Sequence, residues 1–381
     1  MPENEIIEEF ELHEAWARRQ FSDMESDVAL ALLQSTITKS NSLRAFLIDR
    51  WKVAHKLAKM LMEKGIVRVA KESPNLLDMY KNALAIGVDS SRQLPFRILS
   101  TYYCPITSAI VYFDSFDKVI FDSNAPCKLF EETNLTPEEA IRKVQEEMYR
   151  CEVSAIIRVS SSTLFKDAIG KKEVLLMIDG PIIDPPNKKL YEGYIRERAS
   201  ALLACREGGA LVIGCVKDLE GRHFLNFLKT QKDLQELATI AEGFGQDSQL
   251  IPFLFSTLYS EGAILETIPI KRTDPREIID EYKKFGVEEI YRIYLTLGRG
   301  MHLGVEYLAS KDDAVEIGAK VCNAVRAWGI PGVKIPLPVL AAHRRCNIKR
   351  GSAEYLYREL LTRALSCEEG ANMFGAFSKG V

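Results

Sequence analysis

Two short runs, residues 174–178 and 211–216, are apolar at every position, and that continuity constrains the fold more than any other feature of the chain. A half-buried strand alternates apolar and polar residues, because successive side chains point to opposite faces of the sheet. A strand that is apolar on both faces must be covered on both, as central parallel strands are when helices lie above and below them. Residues 189–206 have helical character and separate the two runs, completing a strand–helix–strand unit. The expected fold class is therefore α/β, a covered sheet flanked by helices.

The remaining pattern extends that unit. A strand is expected at 84–88, ending in Asp89, followed by strands at 98–104, 108–113 and 119–121 that read as a β-meander. Thr136-Pro137-Glu138-Glu139 combines an N-cap, a proline at the first helical position and a capping-box glutamate, which predicts a long helix from Pro137 to about Val159. Further on, helices are expected at 229–241, 312–328, 337–348 and 353–365, and strands at 264–270, 289–297 and 303–308. Near the N-terminus, Leu43, Phe46, Leu47, Trp51, Ala54, Leu57 and Leu61 recur at helical spacing between cap candidates Asn41 or Ser42 and Gly65. There is no internal repeat, and the loop candidates 243–247 and 271–275 do not look like linkers. The expected organisation is an N-terminal helical extension, 1–80, followed by one domain, 81–381.

Composition narrows the function classes. With 47% hydrophobic residues in 381, the chain can bury a large core. Its 50 Lys plus Arg against 53 Asp plus Glu give a formal charge of −3, so any nucleic-acid site has to be a local patch. The eight cysteines lie far apart without a C-x₂-C pair, and several, such as Cys151 and Cys215, fall in apolar runs. They read as reduced core residues of an intracellular protein. The acidic, polar residues 1–10 do not resemble a signal peptide, and no run reaches the roughly 18 apolar residues of a membrane span. A soluble, cytoplasmic protein with no membrane partner is expected.

Chemistry is concentrated at a few positions. Asp89 and Asp179 both end apolar strands, where α/β folds place ligands, and two carboxylates in equivalent positions on one sheet can share a divalent cation. Either alone could equally cap a turn. Glu152 interrupts the apolar stripe Ile141, Val144, Met148, Ala155 and Ile156 of its helix, whereas Glu146 shares a face with Arg142, Lys143 and Arg150. A carboxylate on that stripe needs a metal, or an arginine partner at its rim. His343 can bind a metal or accept a proton from water, although a lone helical histidine is often only solvated. Arg344, Arg345, Lys349 and Arg350 form the densest basic cluster, suited to phosphate contacts or simply to a solvated face. Lys217, closing the second apolar run, can neutralise phosphate charge or pair with Asp218.

Taken in order, strand-end Asp89, Glu152 after Arg150-Cys151, Asp179-Gly180, Val216-Lys217 and the segment from Pro338 to His343 resemble the NurA nucleases, over about residues 80–350. The resemblance implies a ribonuclease-H-like fold and a manganese- or magnesium-dependent DNA nuclease, with 5′–3′ exonuclease and single-strand endonuclease activity. It also implies a homodimer that docks on a hexameric HerA-type translocase in DNA end resection during double-strand break repair. Asp89, Glu152, Asp179 and His343 would then be metal ligands, Lys217 a catalytic cation, and Arg344, Arg345, Lys349 and Arg350 contacts to DNA. The family's Asp-Gly-Ser stands here as Asp89-Ser90-Ser91, and a left-handed backbone at that glycine would strain Ser90. Glu147 is the rival carboxylate to Glu152.

Two other functions compete. An actin- or Hsp70-like ATPase also places aspartates after apolar strands but needs glycine-rich phosphate loops, of which Asp179-Gly180-Pro181 is a poor version because proline removes a donor. A catalytically degenerate DNA clamp or translocase regulator would be compatible with the altered Asp89-Ser90-Ser91.

Overall fold

In the computed structural model, which describes residues 26–70, 75–183, 192–258, 264–287, 289–298, 300–364 and 366, the chain opens with α1 (Ser26–Glu63), β1 (Val67–Val69) and α2 (Leu76–Tyr80). The strands β2 (Leu84–Arg92), β3 (Phe96–Ile98), β4 (Thr101–Ser115), β5 (Lys118–Phe121) and β6 (Cys127–Thr133) come next. Then follow α3 (Pro137–Ser161), α4 (Thr163–Ala168), β7 (Val174–Asp179), α5 (Glu192–Glu207) and β8 (Ala210–Val216). Three helices, α6 (His223–Thr230), α7 (Gln235–Ala241) and α8 (Asp247–Leu258), lead to β9 (Leu265–Thr267), β10 (Ile270–Lys271) and α9 (Arg276–Lys284). The chain closes with β11 (Ile290–Gly298), β12 (Met301–Leu308), α10 (Ala314–Ala327), α11 (Leu337–Cys346) and α12 (Arg350–Ala364).

Among the described residues the strands make one 12-stranded sheet along the path β1-β9-β11-β12-β8-β7-β2-β4-β3, with β5 and β6 on β4 and β10 on β11. Only the central three strands run parallel: β7 lies between β2, with Val88 opposite Ile178, and β8, with Asp179 opposite Cys215. Crossovers through α3 and α5 produce these two pairings, and the antiparallel β2–β4–β5 hairpins precede them. This is the mixed, ribonuclease-H-like sheet flanked by helices that the sequence leads one to expect.

Both faces of the parallel strands are buried, which accounts for their unbroken apolar sequence. Leu84, Ile86, Val88, Leu176 and Ile178 pack under α3 and α5 against Ile156, Val159, Tyr194 and Leu202. Their neighbours Ala85, Leu175, Met177, Ile213 and Cys215 pack under α10 and α11 against Val321, Val325, Val339 and Ala342. A third core joins Ala54, Leu57 and Leu61 of α1 to Phe224, Leu237, Leu250 and Leu254. Six of the seven described cysteines are buried, Cys127 is exposed, and Cys367 lies outside the described residues. No helix among the described residues is long and apolar enough to cross a membrane.

Several elements differ from the sequence reading. The cap expected at Asn41 or Ser42 is absent, because α1 runs through both. The nearby Thr36, Thr38 and Ser40 hydroxyls donate to carbonyls three or four residues earlier and so remain compatible with the helix. Only the C-terminal part of the apolar stripe is covered, and Leu43, Phe46, Leu47 and Trp51 stay exposed. The strands expected at 98–104 and 108–113 are one strand, β4, whose Pro105 lies within its pairing to β6. The helix expected at 229–241 is two, α6 and α7, and the strand at 264–270 is split into β9 and β10. Strand β6 and helices α8 and α9 were not anticipated. The long helix fulfils its capping box: the Thr136 side chain accepts from the Glu139 amide, and the Glu139 carboxylate accepts from the Thr136 amide.

Candidate metal centre

The site forms where the parallel strands end. Because Val88 and Ile178 are partners, Asp89 and Asp179 leave adjacent strands at the same level. Strand alternation turns both toward the α11 face, together with Cys215 and Lys217. Helix α11 can approach closely because of Gly87, where a Cβ would stand 1.9 Å from the Pro338 carbonyl oxygen. A proline in the first turn of α11 starts the helix there, and about one and two turns later His343 and Cys346 hang over Asp89.

The contacts are short and involve both aspartates. His343 Nδ1 is 2.8 Å from Asp89 Oδ2 and 3.4 Å from Asp179 Oδ2. With acceptors on either side that nitrogen carries a proton and donates to Asp89. The Cys346 thiol donates to the same Asp89 oxygen at 3.2 Å, and the Ser90 amide donates to Asp89 Oδ1 at 2.7 Å. Lys217 Nζ is 2.7 Å from Asp179 Oδ2, so this lysine pairs across the strands and not with Asp218. Burial works against its charge, but Asp179 outweighs that and holds its pKa above the usual lysine value.

Glu152 arrives from the opposite layer. Ser90 points to the α3 side, and its hydroxyl donates to Glu152 Oε2 at 3.2 Å. The other carboxylate oxygen, Oε1, accepts from Arg198 Nη1 at 2.6 Å. Glu152 is thus buried and ion-paired with arginine, the alternative left open by the sequence, but inside the fold and not at a rim. It still acts on the site: burial, then the charges of Asp179 and Glu152, push the Asp89 carboxyl up to about 6. Glu147 lies on the outer face, paired with Lys128 and 3.9 Å from Arg150. Ser90 is extended, and the only described non-glycine residues in the left-handed region are Leu99 and Asn134, so the strain expected at Ser90 does not arise.

Asp89, Asp179 and His343 each offer one ligand atom, all within 4.8 Å of one another. Carboxylate oxygens with one imidazole suit a divalent cation such as manganese or magnesium. The basic cluster begins beside His343. Arg344, Arg345, Lys349 and Arg350 are exposed, Arg345 stacks 4.7 Å from the centre of the Phe121 ring, and Arg350 pairs with Glu354. Sequence reasoning missed Arg198 and Cys346. A lone arginine in a helix and a lone cysteine give no spacing signal, and only the tertiary contacts reveal them.

No family model matches the chain, and no curated protein matches it by sequence. Among solved structures, the NurA nuclease from Sulfolobus solfataricus superposes with a TM-score of 0.55 over 88% of this chain and 97% of that one, at 13% identity. A structure of NurA bound to dAMP and manganese matches over 87% of this chain and 98% of that one, at 11% identity and a TM-score of 0.44. The catalytic domain of human endonuclease V matches over 82% and 97%, at 12% identity and a TM-score of 0.32. The superposition on the Sulfolobus solfataricus structure shows that the chain shares that nuclease's fold.

Proposed function

We propose that this protein is a metal-dependent deoxyribonuclease that hydrolyses phosphodiester bonds. The observation that carries the reading is the convergence of Asp89, Asp179 and His343 where the parallel pairing of β2 with β7 ends, with their ligand atoms within 4.8 Å. Asp89, Asp179 and His343 would hold a manganese or magnesium ion, with Glu152 beside them. Bound there, the ion would supply Lewis-acid polarisation of the scissile phosphate and lower the pKa of an attacking water. The chain's own groups do the rest. Lys217, kept charged by Asp179, offers a fixed cation to phosphate oxygens at the rim. Side-chain exposure of 39% at His343 leaves the site open to substrate on the α11 side. To offer Nδ1 to the cation, His343 would take the tautomer that carries its proton on Nε2, and its hydrogen bond to Asp89 would give way.

Arg344 and Arg345 at the end of α11, with Lys349 and Arg350 leading into α12, would track the DNA backbone despite the net negative charge of the chain. At the finer level we propose 5′–3′ exonuclease and single-strand endonuclease activity in end resection, a homodimer, and docking on a HerA-type hexameric translocase. The N-terminal segment, residues 1 to about 40, is the proposed docking element. Leu12, Trp16 and Phe21 lie outside the described residues, while Leu32 is exposed on α1. The test is incubation of end-labelled linear duplex and single strands with manganese, magnesium or chelator. Metal-dependent shortening of the label supports the reading; intact DNA under all conditions, with ATP turnover instead, refutes it.

A further inference from the structure

Arg198 is 1% exposed, and its guanidinium touches both halves of the site without reaching a substrate. From α5 it donates through Nη1 to Glu152 Oε1 at 2.6 Å and through Nη2 and Nε to the carbonyls of Pro181 and Ile182 at 2.9 and 3.1 Å. Glu152 stands on α3, whereas Pro181 and Ile182 belong to the loop that follows Asp179. The Ile182 amide donates to Glu306 Oε2 at 2.8 Å, so both peptide groups of this residue end on buried charged side chains. Glu306 is itself fixed by Arg272 and by Arg292, whose Nη2 is 2.6 Å away. Burial raises its pKa, but the two arginines outweigh this and bring it down to about 2. Beneath the loop, a Cβ at Gly214 would stand 2.8 Å from the Gly180 carbonyl oxygen and 2.9 Å from the Ile182 nitrogen, so the loop lies directly on β8.

We propose that Arg198 is a positioning residue of the metal site. It fixes the Glu152 carboxylate against the Asp89 strand and ties it to the Asp179 loop, so that Asp89 and Asp179 are held in one pre-arranged geometry for the cation. Resting on the metal-dependent reading above, the proposal names a residue that acts through Glu152 and the loop backbone. The chemistry requires a guanidinium: its planar fork serves a carboxylate and two carbonyls at once, and a single ammonium nitrogen cannot span them. A buried ion pair is a poor source of stability compared with apolar packing of the same volume, so what this one provides is orientation. Groups that orient metal ligands in this way typically change metal affinity by about 10- to 100-fold when lost.

The experiment is a manganese titration followed by electron paramagnetic resonance, without DNA, on the full chain and on Arg198→Met, Arg198→Lys, Glu152→Gln and the Met–Gln double variant. Near-ultraviolet circular dichroism accompanies each titration to monitor packing. With native-like dichroism, Arg198→Met is expected to weaken manganese binding about tenfold. In the Glu152→Gln background the same change is expected to cost less than about twofold, because the two residues act as a unit. Unchanged affinity in Arg198→Met, or losses that simply multiply in the double variant, would overturn the proposal. If Arg198→Met does not fold, Arg198→Lys decides: it keeps the charge and loses the fork, and wild-type affinity in it would equally overturn the proposal. A wild-type chain that binds no manganese would instead remove the metal-dependent reading itself, so the two failures are distinct.

Discussion

Replacing Asp89 by asparagine is expected to make the metal-free protein more heat-stable at neutral pH while abolishing its stabilisation by manganese. Burial and the charges of Asp179 and Glu152 hold the folded Asp89 carboxyl at about 6 against the ordinary aspartate value of 3.8. The folded state therefore binds this proton more tightly than the unfolded one. Stability from this group is fully present below the unfolded value and is lost as pH rises through 6. Above that pH the charged carboxylate costs up to about 3 kcal/mol, at about 1.4 kcal/mol per pKa unit. Asparagine removes the charge but weakens the bonds donated by His343 and Cys346, leaving a net gain of about 1–2 kcal/mol. For 381 residues the unfolding entropy is roughly 0.8 kcal/mol/K, so the melting temperature rises by about 2 °C at pH 7.5 and by less at pH 5. Manganese at about a hundred times its dissociation constant adds about 2.7 kcal/mol to the wild type, reversing the order. Scanning calorimetry at both pH values, with chelator and then with manganese, reads all four states. A variant less stable than the wild type in chelator at pH 7.5, or stabilised equally by manganese, refutes the electrostatic argument.

Glu152→Gln is expected to lower cleavage at least about tenfold, whereas Glu147→Gln, altering an outer-face group paired with Lys128, leaves the rate within about twofold; single-turnover cleavage compares them. Gly87→Ala places a Cβ 1.9 Å from the Pro338 carbonyl oxygen, so α11 has to shift and His343 moves off Asp89. Loss of manganese affinity at a reduced melting temperature is the expected outcome, and calorimetry with a metal titration checks it. Exchanging Arg344 and Arg345 for glutamine is expected to weaken DNA binding for all sequences and to flatten its dependence on log salt by about two, read by anisotropy over a range of salt concentrations.

The central sheet was legible because continuous apolarity at 174–178 and 211–216 reports covering on both faces, and the structure covers both. The two aspartates were legible for the same reason: a charged residue closing an apolar run is conspicuous, and parallel pairing brings the two level, although β2 continues past Asp89 to Arg92 along β4 and only Asp179 ends its strand. Glu152 was conspicuous as a carboxylate on an apolar helical face, but its partner Arg198 lies 46 residues away and no local pattern joins them. The extent of α1 was not legible, since Thr36, Thr38 and Ser40 satisfy their hydroxyls within the helix and polar residues of this kind look like caps in sequence. Strand β6 was missed because it is largely exposed along β4 and carries no alternation.

The most direct test of the account is a side-by-side cleavage assay of wild type, Asp89→Asn and Asp179→Asn on one end-labelled linear duplex in manganese. Each variant is first shown to be folded by circular dichroism. If Asp89 and Asp179 hold the cation where the pairing of β2 with β7 ends, the wild type degrades the duplex and each substitution lowers the rate by at least about a thousandfold. Wild-type rates in both variants would contradict the assignment of this site.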